Sequence, residues 1–272
     1  MNLADPATLR ALLARHGLGA KKGLGQHFLC SGSTVESIVS RLSGISGVLE
    51  IGPGPGVLTS ALCGDSRRVL ALELDERMIT VLAESAPAAS VSVGDALRED
   101  LGALLERLPR PRAVVSNLPY YITAALLGRI EQAAEHLDKA VLMMQREVAE
   151  RVSAAAGQRE RGALSVYLQA RFAIETVCDV PASCFWPEPK VESRVLEFVP
   201  CGTGLSKEEQ RLVRIGFSQP RKMLANNLAA GLRVSRSSAL EMMAAAGIEE
   251  KARASDASLE QWRALAERAD GG

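Results

Sequence analysis

The sequence predicts an α/β protein: a Rossmann-like sheet, mostly parallel with one antiparallel edge strand, followed by a small all-helical domain. Three observations support this prediction. Short apolar runs alternate with helix-length amphipathic stretches, a glycine-rich turn follows the first of these runs, and strand-like runs are missing beyond residue 205. The 272 residues, 47% of them hydrophobic and 24% charged, are ordinary for a globular protein with a large core.

Five apolar runs predict the parallel strands, at 48–51, 69–74, 91–93, 113–116 and 140–144. Their alternation with amphipathic stretches is typical of a parallel sheet that is covered by helices on both faces. The run at 141–144 is apolar at every position, which suits a strand buried on both faces. A further run at 194–199 alternates, and we predict that it closes the sheet as the antiparallel edge strand.

The segment 200–204 reads Pro-Cys-Gly-Thr-Gly, a composition typical of a linker. Beyond it the chain is rich in Ala, Leu, Arg and Glu, which favour helices. We therefore predict two domains: a catalytic domain with the sheet over 1–200, and a helical domain over 205–272.

Several classes of protein and site are disfavoured by composition. No apolar run approaches the roughly 18 residues that a membrane span needs, and the apolar stretch at 11–14 is too brief for a secretory signal. The five cysteines form no C-x-x-C pair and the three histidines are scattered, so we expect free thiols and no metal site. We expect a cytoplasmic protein without a membrane partner.

Charge is balanced overall, with 32 basic and 32 acidic residues, but basic residues concentrate in two segments. Residues 1–30 carry four basic side chains and one acidic, and residues 207–233 carry six basic and two acidic. Such segments can bind nucleic acid, and a solvated helix face is the alternative explanation. Charge alone does not decide between them.

The turn after the first predicted strand, GPGPG at 52–56, indicates a ligand site, because glycines let the backbone approach a ligand closely. It does not complete the dinucleotide pattern G-x-G-x-x-G, since Val57 and Thr59 occupy the two candidate positions for its third glycine. Glu73 ends the second strand, where an acid can accept hydrogen bonds from ribose hydroxyls. Asp95 follows the third, where it can accept from an adenine amine. We predict a ligand of nucleoside size, with its ribose at Glu73 and its adenine at Asp95. The third part of this ligand, at the glycine-rich turn, need not be phosphate.

The loop after the fourth strand, SNLPYY at 116–121, carries the predicted chemistry. An aryl amine is a poor nucleophile, and two acceptors aimed at its two N–H groups would stabilise the positive charge that develops on attack. The side-chain oxygen of Asn117 and the carbonyl of Leu118 can supply those acceptors. Pro119 stiffens the turn, and Tyr120 offers a ring face for a base. A plain turn with a buried tyrosine is the alternative.

At these motifs the chain resembles the rRNA adenine dimethyltransferases, which use S-adenosylmethionine, and among them the small-subunit enzymes linked to kasugamycin sensitivity. The similarity extends over nearly the whole chain. It comprises GQHFL at 25–29, EIGPG at 50–54, ELD at 73–75, GDA at 94–96, NLPY at 117–120, QREVA at 145–149, FWPEPKVES at 185–193 and RKML at 221–224.

The resemblance implies an S-adenosylmethionine-dependent methyltransferase. Its expected substrate is two adjacent adenosines in a loop near the 3′ end of 16S rRNA, each dimethylated at N6 within a 30S assembly intermediate. We expect a monomer with a role in ribosome biogenesis. The alternatives are a large-subunit enzyme of the macrolide-resistance type, a nicotinamide dehydrogenase on the same sheet, and a non-enzymatic assembly factor.

The resemblance also implies roles for single residues in cofactor binding. The loop 25–29, with His27 and Leu29, and the turn, with Gly52 and Gly54, would hold the methionine end of the cofactor. The ribose would be bound by Glu73. The family commonly has Asn where this chain has His27, so we expect a main-chain or imidazole contact to replace that amide, unless His27 is a bystander.

The adenine of the cofactor would be bound by Asp95, and Asn117 would contact both the cofactor and the target amine. On the RNA side, Leu118 and Pro119 complete the target-amine site. Phe185 would form a second aromatic wall, so that the flipped base lies between it and Tyr120. Two basic residues of the helical domain, Arg221 and Lys222, would contact the RNA backbone.

Overall fold

The computed structural model describes residues 1–20, 26–64 and 67–269. The chain forms two compact units: Met1–Ala149 with Ile174–Pro200, and Glu150–Ala173 with Cys201–Gly272. The strands are β1 (Phe28–Leu29), β2 (Gly47–Ile51), β3 (Arg68–Glu73), β4 (Ser90–Val93), β5 (Arg112–Asn117), β6 (Lys139–Gln145), β7 (Phe172–Val180), β8 (Phe185–Trp186) and β9 (Ser193–Pro200). All except the first two residues of β7 belong to the first unit.

The first unit is built on a seven-stranded sheet with the order β4-β3-β2-β5-β6-β9-β7. The pairs from β4 through β6 are parallel, and β9 is antiparallel to β6. Every residue of β2 is buried, as expected for a central strand that is covered on both faces. The predicted fold class and the five predicted parallel strands are confirmed.

The edge of the sheet differs from the prediction. The antiparallel strand predicted at 194–199 is present as β9, but it lies inside the sheet because β7 borders it on the outer side. β7 was not predicted from the sequence. Its interior positions are mostly exposed or half-buried, so its residues show neither an apolar run nor a strict alternation.

Among the described residues before 146, the first unit contains six α-helices. They are α1 (Pro6–Arg15), α2 (Gly32–Ser40), α3 (Val57–Cys63), α4 (Met78–Ser85), α5 (Leu101–Glu106) and α6 (Thr123–Gln132). Asp5, Ser31 and Asp100 cap α1, α2 and α5 by accepting a main-chain N–H with the side chain. α3 begins instead at a glycine in the left-handed region, the last residue of the glycine-rich turn.

A second, two-stranded sheet lies in the first unit. Phe28 pairs with Trp186 and Leu29 pairs with Phe185, so β1 and β8 are antiparallel. This pairing joins the segment after residue 25 to the FWPEPKVES motif, although more than 150 residues separate them in the chain.

The second unit is helical. Its helices are α8 (Ala163–Gln169), α9 (Lys207–Gly216), α10 (Leu224–Leu232), α11 (Arg236–Ala245) and α12 (Leu259–Ala269), and α7 (Arg146–Ser153) crosses the boundary between the units. Residues 150–173 group with the C-terminal helices, whereas the sequence placed the boundary at 200–205. Val166 explains this grouping, because it is buried in the same core cluster as Leu212, Leu228 and Trp262.

None of the helices in the described part of the chain is both long and apolar enough to cross a bilayer. Within residues 1–20, 26–64 and 67–269, no three His, Cys, Asp or Glu side chains are grouped so as to hold a metal ion.

The close packing of α9 against α12 yields a stability prediction. A Cβ at Gly216 would overlap the buried Trp262 ring and lie 3.0 Å from Leu224. Gly216→Ala should therefore lower the free energy of unfolding by about 1–3 kcal/mol, the usual cost of overpacking. Urea denaturation measures this change in the free energy of unfolding. Gly128→Ala in α6 is the control, since a Cβ there meets no atom within 4 Å and should stabilise by roughly 0.5–1 kcal/mol. Equal effects of the two substitutions would contradict this prediction.

Candidate functional site

The parallel register gathers the predicted ligand residues at one edge of the sheet. Ile51 is level with Leu72 on β3 and with Ser116 on β5, so the next residues, Gly52, Glu73 and Asn117, follow at the same height. Ligands of open α/β sheets bind at this carboxyl edge. An open cleft lies here, within the first unit.

Most of the predicted site residues line this cleft. The cofactor residues that do so are His27, Leu29, Gly52, Gly54, Glu73, Asp95 and Asn117, and the target-amine residues are Leu118, Pro119 and Tyr120. Gly25 of the predicted loop, and Lys21 and Lys22 of the basic segment, lie outside the described residues. Arg221 and Lys222 are exposed in the second unit, between α9 and α10.

Phe185 does not take the predicted place. Its side chain is only 4% exposed, packs in the hydrophobic core of the first unit and is not among the residues that line the cleft. The reason lies in β8, where Phe185 pairs with Leu29 of β1 and points into the core with it. In this structure Phe185 is therefore a core residue.

The glycine-rich turn keeps its main chain open to the cleft. Gly52 and Gly54 have φ angles of +68° and +54°, in the left-handed region that favours glycine. A Cβ at Gly52 would meet no protein atom within 4 Å, whereas one at Gly54 would lie 3.1 Å from the ring of Phe28. A ligand can thus approach the main chain at Gly52, and Gly54 lets the turn pack under β1.

Glu73 is buried, and main-chain groups fix its orientation. One carboxylate oxygen accepts the N–H of Gly54 at 2.9 Å, and the other accepts the N–H of Asp75 at 2.8 Å. Burial raises the pKa of Glu73, and these hydrogen bonds act in the opposite direction. Because each carboxylate oxygen has a second lone pair, both can still accept a hydroxyl of a ribose.

Asp95 is held more loosely at the end of β4. Its Oδ1 accepts the N–H of Leu97 at 2.9 Å, which closes a tight turn, and its Oδ2 lies 3.6 Å from the Arg98 guanidinium. The side chain is about one-third exposed. It therefore keeps acceptor capacity toward an amine in the cleft.

Glu50 is a further acid that lines the cleft, and no role was predicted for it from the sequence. It is the fourth of the five residues of buried β2, is 2% exposed, and its Oε2 has no hydrogen-bond partner among the described residues. Burial raises the pKa of Glu50 to about 8; the Thr59 hydroxyl acts in the opposite direction and nearby Glu73 in the same one. The signal in the sequence is a carboxylic acid within an otherwise apolar strand.

The charge of the cleft discriminates between ligands. Three acids, Glu50, Glu73 and Asp95, line it, and no lysine or arginine does so among the described residues. A pyrophosphate would meet these acids without a compensating base, so the cleft disfavours a dinucleotide. S-adenosylmethionine carries a sulfonium and an ammonium group, and the unpartnered oxygen of Glu50 is suited to such a cation.

The Asn117 side chain has a defined orientation. Its Nδ2 donates to the main-chain oxygen of His27 at 3.1 Å, and since a carbonyl only accepts, the amide oxygen must point the other way. Within the described chain, no group donates to Asn117 Oδ1 or to the carbonyl of Leu118. Both predicted acceptors are thus available to an amine.

Tyr120 is held at both its hydroxyl and its ring. Its hydroxyl lies 2.9 Å from the hydroxyl of Ser193, and its pKa is raised by burial. The imidazole of His27 stacks on the ring, with centroids 5.8 Å apart and planes 21° from parallel. His27 Nδ1 donates to the carbonyl of Pro187 at 2.7 Å. His27 thus contacts Asn117 through its main chain, and its imidazole is directed to Pro187 and Tyr120.

Comparison with known proteins agrees with this geometry. Residues 17–270 match the family model described as ribosomal RNA adenine dimethylase. The ribosomal RNA small subunit methyltransferase A of Phenylobacterium zucineum (strain HLK1) is 41% identical over 240 residues, which cover 85% of this chain and 83% of that protein.

Two solved structures share the fold over most of their length. A dimethyladenosine transferase from Plasmodium falciparum has a TM-score of 0.73 and 25% identity, covering 88% of this chain and 96% of that one. The 23S rRNA methyltransferase ErmE has a TM-score of 0.68 and 26% identity, covering 89% of this chain and 99% of that one.

The buried acid makes stability depend on pH. Because the folded pKa of Glu50, about 8, lies above the ordinary 4.5, its contribution to stability is complete below about pH 4.5 and is lost as the pH rises through 8. Glu50→Gln mimics the protonated acid. At pH 9 the variant should be more stable than the wild type by roughly 2–4 kcal/mol, and at pH 4.5 the two should be equal.

Thermal and urea unfolding at both pH values measure the difference. Glu36→Gln, at an exposed position of α2, is the matched control and should show no pH-dependent gain. A stability difference between Glu50→Gln and wild type that is the same at pH 4.5 and 9 would contradict the prediction.

Proposed function

The chain belongs to the ribosomal RNA adenine dimethylase family, and we propose that it dimethylates the N6 amines of two adjacent adenosines in a loop near the 3′ end of 16S rRNA. The family match confirms the resemblance inferred from the motifs, and with it S-adenosylmethionine-dependent methyltransferase activity. The name of the Phenylobacterium relative supports the choice of the small subunit. The single observation that carries the proposed chemistry is the orientation of the Asn117 amide.

Different residues of the cleft would bind different parts of the cofactor. The main chain at Gly52 and the acid of Glu50 would hold its methionine end, Glu73 its ribose and Asp95 its adenine. When bound, S-adenosylmethionine supplies a methyl group that its sulfonium activates for transfer. The residues of this chain contribute alignment, which is a large part of the rate enhancement in such transfers.

The target amine would be held by Asn117 and Leu118. In the first transfer their two oxygens would accept its two N–H groups, draw the nitrogen lone pair out of conjugation with the ring, and stabilise the positive charge that forms as the new bond to carbon is made. In the second transfer one N–H remains, and one of the two oxygens would accept it. Tyr120 would stack on the base. No strong base is needed, because the methylated ammonium loses its extra proton readily to water.

A stacked adenine cannot reach the cleft, so the target nucleotide must be unstacked and turned into it. This requirement favours a loop over a duplex. We propose that Arg221 and Lys222 of the second unit contact the RNA backbone, and that the substrate is a 30S assembly intermediate. The protein would then act in the cytoplasm, as a monomer, during ribosome biogenesis.

A large-subunit target is the second candidate, favoured by the similarity to the 23S enzyme ErmE. Incubation of the protein with radiolabelled S-adenosylmethionine and unmethylated 30S or 50S particles separates the two. We expect label in 30S particles only, and dimethyladenosine in their digested 16S rRNA by mass spectrometry. Label confined to 50S particles would replace the proposal by the second candidate, and no label in either would refute both.

Asn117→Ala tests the proposed chemistry. Removing one of two transition-state acceptors should lower kcat by about 10²–10³-fold, since groups of this kind typically contribute that much. S-adenosylmethionine affinity, measured by calorimetry, should fall far less than turnover. Asn2→Ala, at an exposed position remote in sequence from the motifs, is the control. Turnover within a few-fold of wild type would refute the role of Asn117.

Lys222→Ala tests the proposed RNA surface. If Lys222 contacts a phosphate, the variant should bind the RNA more weakly, and the slope of log affinity against log salt should become shallower by about one. Filter binding over a salt series measures both. Lys251→Ala, an exposed lysine elsewhere in the second unit, should leave the slope unchanged. An unaltered slope for Lys222→Ala would remove this residue from the interface.

A further inference from the structure

We propose that His27 and Ser193 are positioning residues for the target adenine, which together fix the ring of Tyr120 in place. The inference rests on the proposed function, in which Tyr120 is the ring that stacks on the base. It assigns a task to His27 where the family resemblance suggested a cofactor contact, and to the segment 187–193, whose neighbour Phe185 does not reach the cleft.

Tyr120 needs external support because of its position in the chain. It lies in the loop between β5 and α6, where the main chain is not held by a ladder of hydrogen bonds. The ring is only half-buried, so packing alone leaves it free to move. A base that stacks on a tilted or displaced ring would carry its amine away from Asn117, and small misplacements of reacting groups are costly.

Ser193 holds the tip of the side chain. Its hydroxyl lies 2.9 Å from that of Tyr120, and Ser193 itself is 0% exposed. It begins β9 and is paired with Gln145 of β6, so this contact is anchored in the sheet. The phenolic oxygen, however, lies on the axis about which the ring rotates. The hydrogen bond to Ser193 therefore fixes the position of the phenolic oxygen but not the rotation of the ring about that axis.

His27 supplies the missing constraint. Its imidazole lies nearly parallel to the Tyr120 ring with the centroids 5.8 Å apart, an offset contact that opposes rotation of the ring. The imidazole is itself held by the carbonyl of Pro187, at 2.7 Å. The centroid separation of 5.8 Å is too small for a base to enter between the rings, so the base must use the other face. The main chain of His27 also holds Asn117, so one residue aligns the ring with the amide.

The two supports can be tested separately. Ser193→Ala and Tyr120→Phe remove the two ends of one hydrogen bond, and His27→Asn removes the stacked ring. His27→Phe restores a ring without the bond to Pro187. For each we would measure kcat and KM on unmethylated 30S particles, S-adenosylmethionine affinity by calorimetry, and thermal unfolding. Ser183→Ala, an exposed serine ten residues earlier, and His136→Asn, a histidine outside the cleft, are the matched controls.

Ser193→Ala should lower kcat/KM by about 3- to 10-fold, the range expected for one neutral hydrogen bond, with cofactor affinity unchanged. In the Tyr120→Phe background the same substitution should have no further effect, since the bond is already gone. A merely structural role would add its loss in both backgrounds. An equal loss with and without the Tyr120 hydroxyl would therefore overturn the role of Ser193.

His27→Asn should lower kcat/KM by at least a similar factor, and His27→Phe should recover part of the loss. If His27→Asn weakens S-adenosylmethionine binding and spares the RNA parameters, the residue is a cofactor ligand and the inference is wrong. If the asparagine and phenylalanine variants lose equally, stacking is not its contribution. Failure of the proposed function is distinguishable, because wild-type protein would then leave 30S particles unmethylated.

Discussion

The parallel register of three neighbouring strands is the constraint on which the site depends. Ile51, Leu72 and Ser116 are level across β3, β2 and β5, and the residue that follows each of them faces the cleft. A shift of one residue in either pair would move Glu73 or Asn117 off the shared edge and reverse the faces of the strand. The buried, apolar character of these strands therefore specifies the spacing of Gly52, Glu73 and Asn117 along the cleft.

Electrostatics then selects among the ligands that such a sheet can hold. Many Rossmann-like proteins bind phosphates at the same edge, where main-chain N–H groups and basic residues attract anions. In this chain the N–H of Gly54 is already used by Glu73, and a second acid, Glu50, is buried behind the turn. This edge of the sheet thus presents acidic side chains to the ligand. Burying two acids so close together destabilises the free protein. A bound cationic ligand would offset part of that loss of stability.

The sequence predicted the parts of the molecule that follow from local pattern. The five parallel strands are apolar runs, and several residues that line the cleft come directly after them, so periodicity and topology rules sufficed to place both. β7 was not predicted, because an edge strand that carries Glu175 and Asp179 shows no apolar run. The grouping of 150–173 with the second unit was not predicted for another reason. It depends on where Val166 is buried, which is a property of the tertiary structure. Motifs quoted from the family located the FWPEPKVES segment but assigned Phe185 to the cleft, since resemblance does not show which side of β8 a ring occupies.

His27 shows how a departure from a family pattern can be accommodated without loss of the chemistry. The contact that orients Asn117 comes from a main-chain oxygen, which any residue at position 27 would provide. The side chain is therefore released from that task, and here it bridges Pro187 and Tyr120. Main-chain contacts at a site constrain the path of the chain, whereas side-chain contacts constrain the residue type. The amide of Asn117 is held by a main-chain contact, and the ring of Tyr120 is held by a side-chain contact. Substitutions at position 27 should therefore act mainly on how the base is held and little on how its amine is polarised.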